Sequence, residues 1–73
     1  MRTYLKIIVH SEGAKPSEIA KKLKYIGFEP VVGNYDFCLN WKKDVDADNA
    51  LRFADTVHDT LKGCNVQFTI QTL

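Results

Sequence analysis

The sequence is poor in the residues that would tie it to several familiar kinds of small protein. Among 73 residues there are only two cysteines, Cys38 and Cys64, whereas disulfide-stapled secreted domains of this size usually carry about four to eight. Two cysteines cannot supply the four thiolates of an iron–sulfur cluster, and no C-x-x-C pair is present for a paired-cysteine metal carrier. No apolar run approaches the ~20 residues of a membrane span. The first ten residues hold neither a signal-type apolar core nor a small-residue cleavage site. A reduced, cytoplasmic protein is the expectation. Charge of one sign is also lacking. Ten Lys+Arg face nine Asp+Glu, a formal net of +1, which gives no global field for nucleic acid or an anionic membrane. Two prolines and four glycines are too few for a linker or a low-complexity tract, and no internal repeat is visible.

What is present points to a folded domain. The apolar fraction is 45% and the net charge is close to zero, a balance that excludes disorder. The length supports a single domain, residues 1–73, with room for one small core. Marginal stability or self-association is expected of a core that small.

The pattern then divides into six segments. Residues 3–10 alternate, with Leu5, Ile7 and Val9 on one side and Tyr4, Lys6, Ile8 and His10 on the other, as a strand requires. After a loop through Ser11, Glu12, Gly13 and Lys15, the period becomes helical over 16–26, with Pro16 suited to the first turn. Ile19, Ala20, Leu23 and Ile26 form its apolar stripe, while Lys21, Lys22 and Lys24 face water. Gly27 can end the helix in the left-handed conformation, with Phe28 returning onto Leu23. Pro30-Val31-Val32 reads as a short edge strand. Gly33-Asn34 supplies a turn, and residues 36–42 alternate with Phe37, Leu39 and Trp41 inward. Asp46 is a helix N-cap for a second amphipathic helix over 47–62, which carries Ala50, Phe53, Ala54, Val57 and Leu61 and stops at Gly63. The final segment turns Val66, Phe68 and Ile70 inward and Asn65, Gln67, Thr69 and Gln71 outward.

The order is βαββαβ. Right-handed crossovers turn it into a ferredoxin-like α+β fold, a four-stranded antiparallel sheet in the order 4-1-3-2 with two helices on one face. Trp41, Phe37, Phe53 and Phe68 are the expected aromatic core.

This fold hosts many functions, so each has to be tested on its site residues. Phosphate chemistry in the first loop would need an arginine there, and the only arginines are Arg2 and Arg52. RNA recognition needs stacking aromatics on the two central strands, but Asp36, Cys38, Asn40 and Lys42 occupy the exposed positions of the third. Sheet-face nucleic-acid binding is therefore disfavoured. The run His10-Ser11-Glu12 contains a base, a nucleophile and an orienting carboxylate. However, neighbours along a strand point to opposite faces and do not converge. His10, His58, Cys38 and Cys64 show no metal-ligand spacing, so no metal or other cofactor is expected. Without a convergent nucleophile and base the chain reads as a non-enzyme, an uncharacterised enzyme being the third alternative. Residues 1–43 hold eight basic and four acidic side chains, and residues 44–73 hold two and five. That asymmetry leaves the Lys21/Lys22/Lys24 face open as a nucleic-acid or protein adaptor surface, the alternative function.

The stretch Val31-Val32-Gly33-Asn34-Tyr35-Asp36-Phe37-Cys38-Leu39, the acidic helix start after it, and the run Gly63-Cys64-Asn65-Val66 resemble the second half of the ligand-sensing domain of the leucine-responsive (Lrp/AsnC) regulators. Small GYD-type and ACT-like domains have similar turns. The resemblance covers residues 31–73. No helix-turn-helix precedes it, so transcription-factor activity is not implied. The resemblance implies a dimerising module that binds a small molecule, often an amino acid, between subunits, with Gly33, Tyr35 and Asp36 as the matching residues. A second candidate set comes from the first loop, which leads into a helix N-terminus that favours an anion. There Ser11 could donate a hydrogen bond, Glu12 could meet an ammonium, Gly13 allows close approach and Lys15 adds positive charge. The plain alternative for Gly13 is a βα connection that needs glycine for its own geometry. Tyr4, Ile8 and Cys38, on the face away from the helices, are the expected oligomer interface.

Overall fold

In a computed structural model that describes residues 1–73, the chain runs β1 (Arg2–Ile8), α1 (Pro16–Tyr25), β2 (Glu29–Pro30), β3 (Phe37–Asn40), α2 (Ala47–Leu61) and β4 (Gln67–Thr72). The strands form one antiparallel sheet in the order β2-β3-β1-β4, which is the ferredoxin-like order. No helix is long and apolar enough to cross a membrane.

β1 lies between β3 and β4. Alternate residues turn their backbone groups to opposite sides, as an antiparallel ladder demands. Arg2 exchanges both of its bonds with Leu73, at 3.0 and 2.8 Å, while the Met1 carbonyl accepts from the Trp41 N–H at 3.0 Å. Even-numbered residues of β1 therefore face β4 and odd-numbered ones face β3.

The side-chain alternation gives the sheet one covered face. Thr3 and Leu5 of β1 and Phe37 of β3 are buried on it. Ile19 and Leu23 of α1 and Val57 and Leu61 of α2 close over them, with Phe28 and Cys64 completing the cluster. The helix ends follow from local chemistry. Pro16 opens α1, and the Asp46 carboxylate caps α2 by accepting the Asn49 N–H at 2.8 Å. At the far end of α1, Gly27 takes φ +108°. Its N–H bonds to the Lys24 carbonyl and that of Phe28 to Leu23, which is the Schellman pattern.

Several expectations are corrected. Val31 and Val32 are not strand residues. β2 stops at Pro30, both valines are exposed, and the hairpin connection runs through residues 31–36 rather than through a two-residue turn. Proline cannot donate to the ladder, so an edge strand built on it stays short. Val9 lies beyond the end of β1 and is 39% exposed. Phe53 and Phe68 pack against the core only from its rim, half-buried, and Trp41, also half-buried, lies outside the core against Phe53. Trp41 sits just past β3. Its Nε1–H donates to Thr3 Oγ1 at 2.7 Å, and its ring stands edge-on to Phe53 with centroids 5.2 Å apart. A polar indole N–H needs a partner when covered, and the buried Thr3 hydroxyl, itself 2.8 Å from Thr72 Oγ1, provides one.

The ordering of two substitutions checks this packing. Leu5→Ala removes a fully buried side chain and is expected to cost about 2–5 kcal/mol. Trp41→Phe keeps a ring beside Phe53 and loses mainly one hydrogen bond, an expected cost of about 0.5–1.5 kcal/mol. Urea denaturation should show both as lower midpoints at unchanged slope. A Trp41→Phe loss equal to or larger than that of Leu5→Ala would place the indole in the core after all.

Candidate functional site

The loop and turn residues singled out from the sequence gather at one end of the sheet, where β1 finishes and β3 and β4 begin. The 9–15 loop, the 31–36 connection and the 64–66 segment all lie there. Within that region they do different things.

Asp36 completes the central ladder. Its N–H bonds to the Leu5 carbonyl at 3.0 Å although the strand pairing sets Leu5 against Phe37, an arrangement of the β-bulge kind. The chain then leaves the sheet, and Asp36 Oδ2 accepts the Ile7 N–H at 2.8 Å in place of a backbone carbonyl. Gly33, at φ +124° with open space around its α-carbon, allows the connection to double back. Tyr35 reaches over the uncovered sheet face. Its hydroxyl donates to Gln71 Oε1 at 2.6 Å, and its ring lies 4.9 Å from that of Tyr4, inclined by 33°. The Gly33-Asn34-Tyr35-Asp36 turn thus extends the β1–β3 pairing and sets an aromatic pair on the open face.

The first loop turns inward. A side-chain carbon on Gly13 would stand 2.5 Å from the Cys64 carbonyl oxygen and 3.0 Å from Asn65. The close approach that glycine permits is to the chain itself. The Gly13 N–H bonds to the His10 carbonyl and that of Ala14 to Cys64, so two donors of the loop are already engaged. Ser11, Glu12 and Lys15 are exposed, and their side chains make no hydrogen bond within the chain. His10 is likewise exposed and is not bonded to Ser11 or Glu12.

The open face carries two shallow depressions. One of about 440 Å³ is lined by Lys6, Ile8, Val66, Gln67, Phe68 and Thr69, and Ile8 is 56% exposed in it. The other, about 430 Å³, holds the half-buried Cys38 among Arg2, Glu29, Asn40 and Lys42. The guanidinium of Arg2 is pushed above its ordinary pKa by hydrogen bonding with Tyr4, then by the charges that Tyr4 and Cys38 acquire on ionising. Cys64 is buried, with Lys22 Nζ 3.5 Å from its sulfur. No three His, Cys, Asp or Glu side chains come close enough to hold a metal ion. Lys21, Lys22 and Lys24 are exposed on α1.

Sequence reasoning had Tyr35 and Asp36 as site residues but missed their cross-strand partners Gln71 and Ile7, which only the sheet register brings near. Compared with known families, with curated proteins and with solved structures, the chain matches none.

Four substitutions check these roles. Asp36→Ala should destabilise by about 1 kcal/mol through the lost bond to Ile7, and Asp36→Asn, which keeps an acceptor, should recover most of it. Gly13→Ala must displace the Cys64 backbone and is expected to cost about 1–3 kcal/mol. Ser11→Ala should stay within about 0.5 kcal/mol. Thermal melts of the four variants read both effects. An undisturbed Gly13→Ala would show that the loop does not pack on residues 64–65.

Proposed function

We propose that this chain is a self-associating binding module, without catalysis of its own, that takes a small ligand of the amino-acid class. The observation that carries this reading is the uncovered sheet face, where Tyr35 is held over Tyr4 by its bond to Gln71. A fixed aromatic platform beside the exposed Arg2 guanidinium suits a ligand with a carboxylate and an apolar body. The turn that builds the platform is the part of the chain that resembles the Lrp/AsnC ligand-sensing domain, and it supports the same class of ligand. The first loop supports it less, because Gly13 and Ala14 give their donors to His10 and Cys64. The rival adaptor reading rests on the lysines of α1, beside which one exposed aromatic, Tyr25, offers a single stacking position rather than a series of them.

A thermal-shift screen of free amino acids against simple carboxylates and nucleotides tests the reading. A ligand at about one hundred times its Kd adds ~2.7 kcal/mol. At ~4–8 °C per kcal/mol for a domain this small, the expected rise in Tm is about 10 °C or more for a matching amino acid. Tyr4→Ala should remove it. If no amino acid raises the Tm, and an oligonucleotide binds with an affinity that falls steeply with salt, the adaptor reading replaces this one.

A further inference from the structure

The two edges of the sheet are unlike. β2 is blunt: it has two residues, one is Pro30 with no N–H to offer, and the Val31 N–H just beyond it is taken by the Asp36 carbonyl. Such an edge resists pairing. β4 is the reverse. It runs six residues, and from Asn65 to the end at Leu73 there is no charged residue and no proline. Lysines, prolines and inward charges are the usual guards of an exposed strand, and none is present.

The free side of β4 is defined by the ladder. Leu73 bonds to Arg2 through both backbone groups, so odd-numbered residues of β4 face β1. Phe68, Ile70 and Thr72 turn their N–H and C=O groups outward. No residue of β4 is fully buried, and Phe68 and Ile70, although on the core side, stay half-exposed because nothing flanks them.

We infer that β4 pairs antiparallel with β4 of a second copy, joining two sheets into one of eight strands. The occupant follows from the sequence of the strand. A two-fold contact must be self-complementary. With Thr69 opposite the partner's Thr69, Phe68 meets the partner's Ile70 on the helix side. On the open side Gln67 meets the partner's Gln71. Aromatic–β-branched, Thr–Thr and amide–amide pairs are all favourable cross-strand neighbours. No charge opposes a like charge, so nothing repels a second copy, and the unguarded backbone groups find partners of the same geometry. The pairing would also cover the exposed sides of Phe68 and Ile70. This inference rests on the self-association in the proposed function but moves the interface from Tyr4, Ile8 and Cys38 on the sheet face to the edge.

Sedimentation velocity over about 1 µM to 1 mM chain tests it with Thr69→Lys and Thr69→Glu. Position 69 is exposed, so both variants should fold, and circular dichroism of each checks that. The wild type should dimerise. Each variant alone, with like charges opposed at the two-fold axis, should dimerise about fivefold more weakly. An equimolar mixture should recover the wild-type affinity or better. A wild type that stays monomeric throughout overturns both self-association and the edge pairing. A wild type that dimerises while both variants dimerise equally well, alone and mixed, overturns the edge pairing only. Loss of dimer in Tyr4→Ala alone would then return the interface to the sheet face.

Discussion

Everything in this molecule hangs on β1 being hydrogen-bonded along both sides. Its even-numbered residues reach β4 and its odd-numbered residues reach β3, so removing either neighbour would leave a row of unpaired groups in the middle of the domain. The same strand supplies two of the ten buried residues, Thr3 and Leu5. Ladder and core are therefore not separable contributions: a chain that shortens the ladder also opens the floor on which α1 and α2 rest. The 31–36 connection shows how far the fold goes to complete this strand. Where β3 leaves the sheet, the Asp36 carboxylate replaces the missing carbonyl for Ile7.

The outline of this arrangement was readable from periodicity and end signals. The Asp46 cap, Pro16 at a helix start and the glycine ends at 27 and 63 act over a few residues, and each falls where its local chemistry places it. The failures are all nonlocal. Val31-Val32 has strand propensity but no strand beside it to pair with, because Pro30 closes the edge and Asp36 already bonds Val31. Trp41 has the parity of a core residue but lies one position past β3, where the indole meets Thr3 and the rim rather than the centre. Gly13 looked like a place for a ligand to approach, and only the fold reveals that Cys64 and Asn65 fill that place. Of the candidate site, Tyr35 and Asp36 could be picked from the turn. Their partners Gln71 and Ile7 depend on strand register, which no short motif encodes.

The functional reading follows from what the fold leaves unpartnered. Two helices cover one face of the sheet and nothing covers the other, and one edge is blunted while the opposite one is bare. A core this small gains from any further burial, so an open face with an aromatic pair and an open edge with a self-complementary strand are coherent in one module. A ligand on the face and a second copy along the edge would be adjacent without competing, since Tyr35 is tied to Gln71 of the same strand that offers its outer side for pairing.

The central role of β1 is most directly tested by residue-resolved amide hydrogen exchange followed by NMR. The slowest amides should be those of Thr3, Tyr4, Leu5 and Lys6, odd and even alike, exchanging near the rate set by global unfolding. Ile7, bonded only to a side chain, should exchange faster than these but more slowly than the 31–35 connection. If alternate residues of β1 exchanged quickly while their neighbours were protected, one flank of the strand would be unpaired, and β1 would not be the doubly bonded centre on which the fold depends.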